Sequence, residues 1–361
     1  MEFYSAVVYI QVLSAIVMAV VVWTNPILEN GLKKAFSIEF GIIAAASVCS
    51  YFADSLNNSA EKFRALHYIA KIAEFTLIPV LLLVAIVSLK VVKKTLIFYI
   101  LVALNFLAQL LTAKYHFIFY MDENNVYTRG EFYCTYVVFY VLLTLLFINY
   151  IIMKGMQFQS FSKTVVLAIT GFLALTLPIQ IIFTNIRTAF LVIEFAVIMA
   201  YIYINNLIIQ LDKLTGMLNR WQYEKMLKKA NYPTCVFIFD VDSFKTINDT
   251  FGHQIGDRAL QLAASEIKKH FAKEGYCFRI GGDEFCVILK KKSRYAKAQS
   301  DEMLWALIDR FETDIKEIHR NEPTFTGVSV GYAFTDGPFD INWAIEKADM
   351  MMYKKKRHAK E

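Results

Sequence analysis

The sequence predicts two structural classes in one chain, an all-α membrane bundle followed by an α+β domain with helices packed over a mostly antiparallel sheet. The first observation is composition: 57% of the 361 residues are hydrophobic and only 19% are charged, which excludes two ordinary soluble domains. The second is distribution, because long uncharged stretches end near residue 210 and a mixed, charged composition follows. The third is the alternation of strand-like and helix-like patterns after that point.

Seven apolar stretches in the first part of the chain are long enough to cross a bilayer. A hydrocarbon core about 30 Å thick requires roughly 20 apolar helical residues, because its interior offers no other partners for peptide groups. The predicted spans are residues 5–23, 36–53, 66–89, 96–113, 132–153, 164–184 and 188–210. We therefore expect residues 1–203 to form a membrane-embedded, multi-pass sensory or input region.

The lysines between the predicted spans indicate an orientation. Seven crossings put the two chain ends on opposite sides, and three loops that contain lysines fall on the side of the second domain. These residues are Lys33, Lys34, Lys90, Lys93, Lys94, Lys154 and Lys163. By the positive-inside rule that side is cytoplasmic, so we expect the second domain to lie in the cytoplasm.

The outer loops leave two interpretations open. Residues 114–131 mix aromatic rings with charged and amide side chains, which suits either a pocket for a small-molecule signal or an ordinary turn with interfacial tyrosines. Lys71 and Glu74, three apart within one predicted span, either neutralise each other or belong to a ligand site. No pair of broken helices indicates a transporter.

The last predicted span continues without Pro or Gly towards the second domain. Apolar residues recur there in a 3-4-3 spacing, at Ile204, Leu207, Leu211 and Leu214. This spacing fits a short two-stranded coiled coil and equally the plain end of an amphipathic helix. In either case we expect residues 204–214 to form a helical coupler, and residues 215–361 to form the second domain.

Strand and helix patterns alternate along that second domain. Period-two and short apolar runs predict strands at 235–240, 276–280, 285–289 and 326–334, and periodic spacing predicts helices at 257–271, 301–319 and 342–355. The strands at 276–280 and 285–289 flank a glycine turn and are therefore predicted to form a hairpin.

Charge and cysteine content exclude some classes of partner. The formal charge of +6 is modest for this length and does not indicate nucleic acid. The five cysteines have neither a CxxC pair nor a metal-ligand spacing, and we interpret them as reduced, buried thiols.

Acidic residues mark the candidate site of the second domain. Two carboxylates follow the glycines of the predicted hairpin, at Asp283 and Glu284, although such turns are often merely solvated. Asp240 and Asp242 lie at the end of an apolar strand, on one face by the period-two rule. Oxygen ligands from a strand end and a neighbouring turn suit Mg²⁺ or Mn²⁺, and two-metal phosphoryl-transfer sites require this arrangement.

Five motifs follow one another in the second domain. They are residues 212–220 (DKLTGMLNR), 239–249 (FDVDSFKTIND), 251–253 (FGH) followed by Gly256-Asp257, 279–285 (RIGGDEF), and the closing Ala348-Asp349 with residues 353–360. In this order they resemble the diguanylate cyclase catalytic domain, the GGDEF family. The resemblance covers about residues 212–361. It implies an α+β palm-like fold of the adenylyl cyclase and ferredoxin-like type.

The resemblance also implies an activity and its cofactors. Members of the family condense two GTP molecules into cyclic di-GMP and pyrophosphate, with one GTP on each domain of a homodimer and two Mg²⁺ or Mn²⁺ ions per active site. By the family motifs, Asp240, the carbonyl of Val241 and Asp283 bind the metals. Asp283, Glu284 and Lys245 are then the catalytic residues. The implied location is the bacterial plasma membrane, with the catalytic domain in the cytoplasm.

Further motif positions imply the GTP-binding residues. Asn248 and Asp257 correspond to residues that read the guanine edge, and a carboxylate at Asp257 suits the donors of guanine. The remaining expected contacts to GTP are His253, Ser243, Phe244, Gly282, Lys356 and Lys360.

Two departures and two rival functions qualify the resemblance. Lys360 stands where the family usually has Arg, and the Arg-x-x-Asp site of product inhibition falls on Ala272 and Gly275, so we expect no strong feedback through that site.

The rivals are a catalytically silent GTP- or partner-binding module and a cyclase that makes a mixed GMP-AMP dinucleotide. Intact Asp240, Asp283 and Glu284 argue against the first, and Asp257 argues against the second.

Overall fold

A computed structural model describes residues 2–88, 96–156, 162–182, 189–229, 234–289, 301–335 and 341–358. The chain divides into two compact units, Met1–Ile209 and Gln210–Glu361.

Helices make up most of the first unit, at the seven places where the sequence predicts spans. They are α1 (Glu2–Thr24), α2 (Asn30–Ser55), α3 (Arg64–Ser88), α4 (Leu96–Tyr115), α5 (Tyr133–Met156), α6 (Lys163–Ile182) and α7 (Ala189–Ile209). By length and composition, α1 to α4 and α7 can each cross a membrane. Within α5 and α6, apolar segments are described at Tyr133–Leu146 and Thr164–Thr176.

Apolar side chains lie both inside and outside this unit. Phe40, Ile43 and Val22 are fully buried in a core formed mainly by α1, α2, α3 and α7. On the outside, Leu167 and Leu175 of α6 are 76% and 77% exposed, and many apolar residues of α1 and α4 are exposed as well. A surface of this kind is unfavourable in water and favourable in hydrocarbon.

A small hairpin caps one end of the first unit, where the sequence leaves a pocket or a turn open. Strands β1 (Phe119–Met121) and β2 (Tyr127–Arg129) pair antiparallel. The buried Asn125 between them donates to the carbonyl of Leu56 and to Ser59 Oγ at 3.3 and 2.9 Å. The loop is therefore a packed hairpin, and a ligand pocket within it stays a prediction.

The ionisable pair predicted on α3 is formed. Lys71 Nζ lies 2.7 Å from Glu74 Oε2, and Ser50 Oγ donates to the other carboxylate oxygen at 3.0 Å. Lys71 also lies over the ring of Tyr127, 4.8 Å from its centroid. These contacts satisfy the pair without a ligand.

The second unit contains five helices and four strands among its described residues. They are α8 (Arg220–Leu227), β3 (Cys235–Val241), α9 (Phe244–Phe251), α10 (His253–Phe271), β4 (Gly275–Arg279), β5 (Glu284–Leu289), α11 (Asp301–Asn321), β6 (Val328–Phe334) and α12 (Ile341–His358). The sequence does not predict the short helices α8 and α9, and all the predicted elements are present with shifts of a few residues at their ends.

The predicted helical coupler is wrong in its second half, because α7 ends at Ile209. Leu211 instead forms a bridge with Leu218. The carboxylate of Asp212 accepts hydrogen bonds from the backbone N–H and the hydroxyl of Thr215, at 2.9 and 2.7 Å. Asp residues favour such turns because their side chains compete with the helical hydrogen bonds of the backbone. The wider division into residues 1–203, 204–214 and 215–361 stays a prediction.

The four strands form one antiparallel sheet in the order β4-β5-β3-β6. With the intervening helices the chain follows the β-α-β-β-α-β sequence of ferredoxin-like folds. The predicted α+β domain with a mostly antiparallel sheet is therefore confirmed. β3 and β5 are its two central strands. The last residues of β3 lie beside the first residue of β5, where Asp240 pairs with Glu284.

Both faces of this sheet are covered, which explains why β3 is buried throughout. Phe237 and Phe239 join the core under α10 and α11, while Val236 and Ile238 join the core under α12. Asp240 comes two residues after Ile238, so its side chain lies on the same face of the sheet, the face that α12 covers.

The cysteines partly follow the prediction of buried thiols. Cys235, Cys277 and Cys286 are free and buried in the second unit. Cys134 of α5 is exposed, which corrects the prediction for that residue, and Cys49 is half-buried.

Candidate active site

Two acidic residues from distant parts of the sequence meet at the end of β3. Asp240 is the last but one residue of the strand, and its Cα pairs with that of Glu284 at the start of β5. The N–H of Val241 donates to the carbonyl of Asp283 at 3.2 Å, which holds the glycine turn against the strand end. Asp283 is half-buried and Glu284 is exposed.

The electrostatics of this cluster favour a cation. Burial raises the pKa of Asp240, the hydrogen bond from Lys356 lowers it, and the charges of Asp283 and Asp242 raise it again, so that the net shift is upward. Lys356 Nζ pairs with the Asp240 carboxylate, whose side chain is only 12% exposed. One ammonium group beside three carboxylates leaves a surplus of negative charge, and this oxygen donor set fits Mg²⁺ or Mn²⁺.

Asp242 is held just beyond the strand by β6. Its N–H donates to the carbonyl of Gly327 at 3.0 Å, and Ser329 Oγ donates to its carboxylate at 2.6 Å. Gly327 has φ +131°, and a Cβ there would lie 2.9 Å from Asp242 Oδ2. Only glycine fits this approach. Asp242 is thus tied to β6 and its preceding residue by hydrogen bonds of its backbone and its carboxylate.

Helix α9 starts directly after these carboxylates. Ser243 has φ +50° and reverses the chain between β3 and the helix. The N–H groups of Phe244 and Lys245 belong to the first turn of α9, where backbone donors have no partner within the helix. Lys245 is exposed at this end, so amides and an ammonium group lie together where phosphates could be bound.

The predicted guanine-reading residues meet at the junction of α9 and α10. A Cβ on Gly256 would lie 2.0 Å from Asn248 Oδ1, so the Asn248 side chain lies directly on this glycine. Asp257, the next residue, and His253 are both exposed on the first turns of α10. Gly252, with φ +85°, makes the sharp turn between the two helices. Asn248 and Asp257 therefore present polar groups from one small region.

Arg279 connects the glycine turn to the start of the domain, a role that the sequence analysis missed. Its Nη2 and Nε donate to the carbonyl of Gly282 at 2.7 and 3.2 Å, and its Nη1 lies 3.0 Å from Asp212 Oδ1. Burial raises the pKa of Asp212, but hydrogen bonds from Thr215 and Arg279 outweigh it and hold the pKa below its usual range. Arg279 thus fixes the backbone next to Asp283.

We expect Arg279→Lys to lower the turnover of the site about 10- to 100-fold, because Lys offers a single charged donor group and cannot bridge Gly282 and Asp212 with a planar fork. The melting temperature should change little, which separates a positioning role from a purely structural one. Arg258→Lys is the matched control, because Arg258 forms an exposed ion pair with Glu322 at 2.8 Å. Equal losses in the two variants would contradict a special role of Arg279.

The structure brings most of the predicted residues to one edge of the domain. Two groups can be distinguished: the carboxylates at the ends of β3 and β5 with Lys356, and the polar residues of α9 and α10. Lys360 lies outside the described residues. Arg279 and Asp212 both lie within family motifs, which could have drawn attention to them. The sequence does not reveal their contact, because it joins residues 67 positions apart.

Comparisons with known proteins give the same family for the second unit. Residues 209–361 match the family described as "Diguanylate cyclase, GGDEF domain". The chain is 34% identical over 158 residues to signaling protein YkoW of Bacillus subtilis (strain 168), and 31% identical over 157 residues to diguanylate cyclase DosC of Escherichia coli (strain K12). These matches cover 41% and 42% of this chain, and 19% and 34% of those proteins, so the chain spans about a third or less of their length.

A solved structure is also similar. The GGDEF domain of DgcB from Caulobacter crescentus in complex with c-di-GMP is 24% identical, with a TM-score of 0.34 and coverage of 41% of this chain and 91% of that one.

Proposed function

We propose that the protein condenses two GTP molecules into cyclic di-GMP and pyrophosphate, because residues 209–361 match the GGDEF family and have diguanylate cyclase relatives. The observation that carries the proposal is the convergence of Asp240 and Asp283 beside the first turn of α9. Carboxylates for divalent cations and donors for phosphates are then adjacent, as phosphoryl transfer requires.

The chain's own residues have separate roles in this proposal. Asp240, the carbonyl of Val241 and Asp283 hold two Mg²⁺ or Mn²⁺ ions, which when bound polarise the reacting oxygens and neutralise phosphate charge. Asp283 accepts the proton of the attacking 3′-hydroxyl, and Glu284 supports the carboxylate cluster. Cationic side chains and backbone amides orient the triphosphate and stabilise the charge of the transition state. These groups are Lys245, Lys356 and Lys360, with the backbone of Ser243, Phe244 and Gly282.

The reaction needs two such domains. Each domain offers one nucleotide site and one set of acidic ligands, whereas the product contains two guanylyl groups joined symmetrically. Two copies facing each other bring the 3′-hydroxyl of one GTP to the α-phosphate of the other. We therefore propose a homodimer as the active form.

The first unit provides the location in this proposal. Five apolar helices and the exposed leucines of α6 favour a multi-pass protein of the bacterial plasma membrane with its GGDEF domain in the cytoplasm. We propose that a signal at the membrane region, for example a small molecule at the outer loops, regulates the activity. The GGDEF domain needs no nucleic-acid partner for this function.

The direct test is product analysis. Purified full-length protein is incubated with GTP and Mg²⁺, and the products are resolved by mass, with ATP added in a parallel reaction. We expect cyclic di-GMP and pyrophosphate, and loss of both after chelation of the metal. A mixed GMP-AMP product would change the substrate assignment, and a dimeric protein that binds GTP without making product would be a silent binding module instead.

The specificity for guanine is testable at Asp257. We expect Asp257→Asn to lower kcat/KM for GTP about 10- to 100-fold, because a hydrogen bond to a charged acceptor contributes about 1.5 to 3 kcal/mol. The preference over ATP should fall with it, which steady-state kinetics with both nucleotides can measure. Asp309→Asn, an exposed position on α11, is the control. Unchanged discrimination between the nucleotides would remove Asp257 from the guanine site.

Product feedback should be weak. Ala272 and Gly275 replace the charged pair of the family's inhibitory site, and a Cβ on Gly275 would lie 2.6 Å from Val287 Cγ1 and 3.0 Å from the carbonyl of Ile288. No side chain fits there without a shift of the strand. We expect initial rates to stay constant when low-micromolar cyclic di-GMP is added, and half-inhibition at that concentration would contradict this prediction.

A further inference from the structure

Helix α8 has two chemically different faces, and the proposed cyclase reaction uses neither. Its inner face packs through Tyr223, Met226 and Leu227 against the sheet and helps cover the edge strand β4. Tyr223 stacks edge-on against the ring of Phe278 at 5.7 Å. The helix is therefore fixed on the domain, and its outer face has a defined direction.

The outer face combines basic residues with one large aromatic side chain. Trp221 is 57% exposed, and Lys225 Nζ lies over its ring, 4.8 Å from the centroid. Lys228 and Lys229 continue the face and are exposed. The face carries a single carboxylate among its described residues, Glu224, which is paired with Arg220 at 3.2 Å. These six residues, Arg220, Trp221, Glu224, Lys225, Lys228 and Lys229, are called the α8 face below, and their net charge is +3.

The start of α8 is hydrogen-bonded to Gln210, the first residue of the second unit. Asn219 is the N-cap of α8, and its side chain accepts from the N–H of Gln222 at 3.2 Å. The backbone N–H of Asn219 donates to the carbonyl of Gln210 at 2.9 Å. Gln210 directly follows Ile209, the last residue of α7. The ten residues from Gln210 to Asn219 thus fold back on themselves, and the N-cap of α8 is hydrogen-bonded to the first residue of the second unit.

We propose that the α8 face binds the headgroups of anionic lipids at the cytoplasmic surface of the membrane. The inference rests on the proposed membrane location, because it requires α7 to end at that surface. Lysines near an anionic surface gain favourable energy within a Debye length, about 8 to 10 Å, and tryptophan prefers the interface between headgroups and hydrocarbon. Charge, side-chain type and position along the chain all agree with this occupant.

A second lysine–tryptophan pair in the domain lacks the position along the chain shortly after α7. On α12, Lys347 lies over Trp343 at 5.6 Å, and Trp343 is 51% exposed. This pair begins more than 130 residues after α7, and no hydrogen bond to the residue after Ile209 involves it among the described residues. Trp343 therefore serves as the internal control for Trp221.

The test uses the full-length protein in nanodiscs that contain brominated phosphatidylcholine, alone or mixed with phosphatidylglycerol. Bromine quenches tryptophan fluorescence at short range. The signal of each tryptophan is the difference between wild type and its Phe variant, Trp221→Phe or Trp343→Phe. Co-elution of protein with lipid is recorded first and reports membrane insertion. Cyclic di-GMP synthesis is assayed separately and reports the cyclase proposal. Quenching then reports this inference alone.

We expect strong quenching of Trp221 in anionic nanodiscs, weak quenching in neutral ones and little quenching of Trp343 in either. The triple variant Lys225→Glu, Lys228→Glu, Lys229→Glu should lower the docking equilibrium by roughly a hundredfold, since each basic residue contributes about 1 kcal/mol at an anionic surface. The matched control carries the same charge change on α11, as Arg310→Glu, Lys316→Glu, Arg320→Glu, and should retain quenching.

Three results would overturn the inference. Trp221 quenching that is equal in neutral and anionic lipid would exclude recognition of headgroup charge. An equal loss of Trp221 quenching in both triple variants would show that the net charge of the domain, and not the α8 face, determines binding. A protein that fails to co-elute with lipid would remove the membrane location and this inference with it, while leaving cyclic di-GMP synthesis open to its own assay.

Discussion

Replacing Asp283 with Asn is expected to lower the rate of cyclic di-GMP formation by at least about a thousandfold, the upper range for loss of one group that stabilises transition-state charge. The amide keeps the size of the side chain but removes a negative oxygen ligand and a proton acceptor. The turn itself should persist, because the Asp283 contact to Val241 uses the backbone carbonyl. Initial rates with GTP and Mg²⁺, followed by product mass, provide the measurement.

Two further variants make this result specific. Asp283→Glu keeps the carboxylate and should recover much of the lost rate, which a structural role of the residue would not predict. Asp309→Asn removes an exposed carboxylate from α11 and should leave the rate unchanged. An Asp283→Asn protein that keeps more than about a tenth of the wild-type rate would contradict a ligand role for this residue.

The second large effect is expected in folding, at Gly331. A Cβ at this position of β6 would lie 2.1 Å from the carbonyl oxygen of Ala348 and 2.3 Å from the N of Met352. Both obstacles are backbone atoms of α12 and cannot rotate away. We expect Gly331→Ala to destabilise the second unit by about 3 kcal/mol, at the upper end of overpacking effects, and to lower its melting temperature by on the order of 10 °C.

The fluorescence of Trp305 reports the thermal transition of the second unit, because its ring packs edge-on against Tyr332 of β6 at 5.7 Å. Gly282→Ala is the control for stability, because no atom lies within 4 Å of a Cβ at Gly282. Separation of β6 from α12 should also displace Lys356, which follows four residues after Met352 on the same helix. An unchanged transition in Gly331→Ala would mean that β6 and α12 are farther apart than described.

The features that could be predicted from the sequence are local ones. Continuous apolar runs predicted the central strands, because a strand covered on both faces has little need of polar residues. The glycine turn was predictable because Gly281 to Glu284 are contiguous and follow a hairpin pattern. Asp240 and Asp283 could be assigned to one site because each ends or follows a strand, and neighbouring strands in an antiparallel sheet bring such ends together.

The features that could not be predicted depend on distant contacts or on very short elements. Helices α8 and α9 have eight residues each, about two turns, which is too short for a reliable periodic pattern. The contact between Asp212 and Arg279 joins separate motifs, and the pattern gives no direction for either side chain. Gly331 lies in a strand, where its sequence context does not reveal the helix backbone above it.

The coupler shows how a correct pattern can still mislead. The apolar spacing from Ile204 to Leu214 is helical, yet the last two leucines of it belong to the second unit. Leu211 forms the bridge with Leu218, and Leu214 packs against the core under α10 and α11. Tertiary contacts and the Asp212 turn together outweigh the intrinsic preference for continuing the helix.

The central claim is that acidic groups from the ends of β3 and β5 bind divalent cations jointly. Titration of Mn²⁺ into the full-length protein, followed by electron paramagnetic resonance in the presence of a non-hydrolysable GTP analogue, tests it directly. We expect tight sites in the wild type that are weakened at least about tenfold by either Asp240→Asn or Asp283→Asn, with the double variant little worse than the single ones. Mn²⁺ affinity that is unchanged in both single variants would contradict the claim.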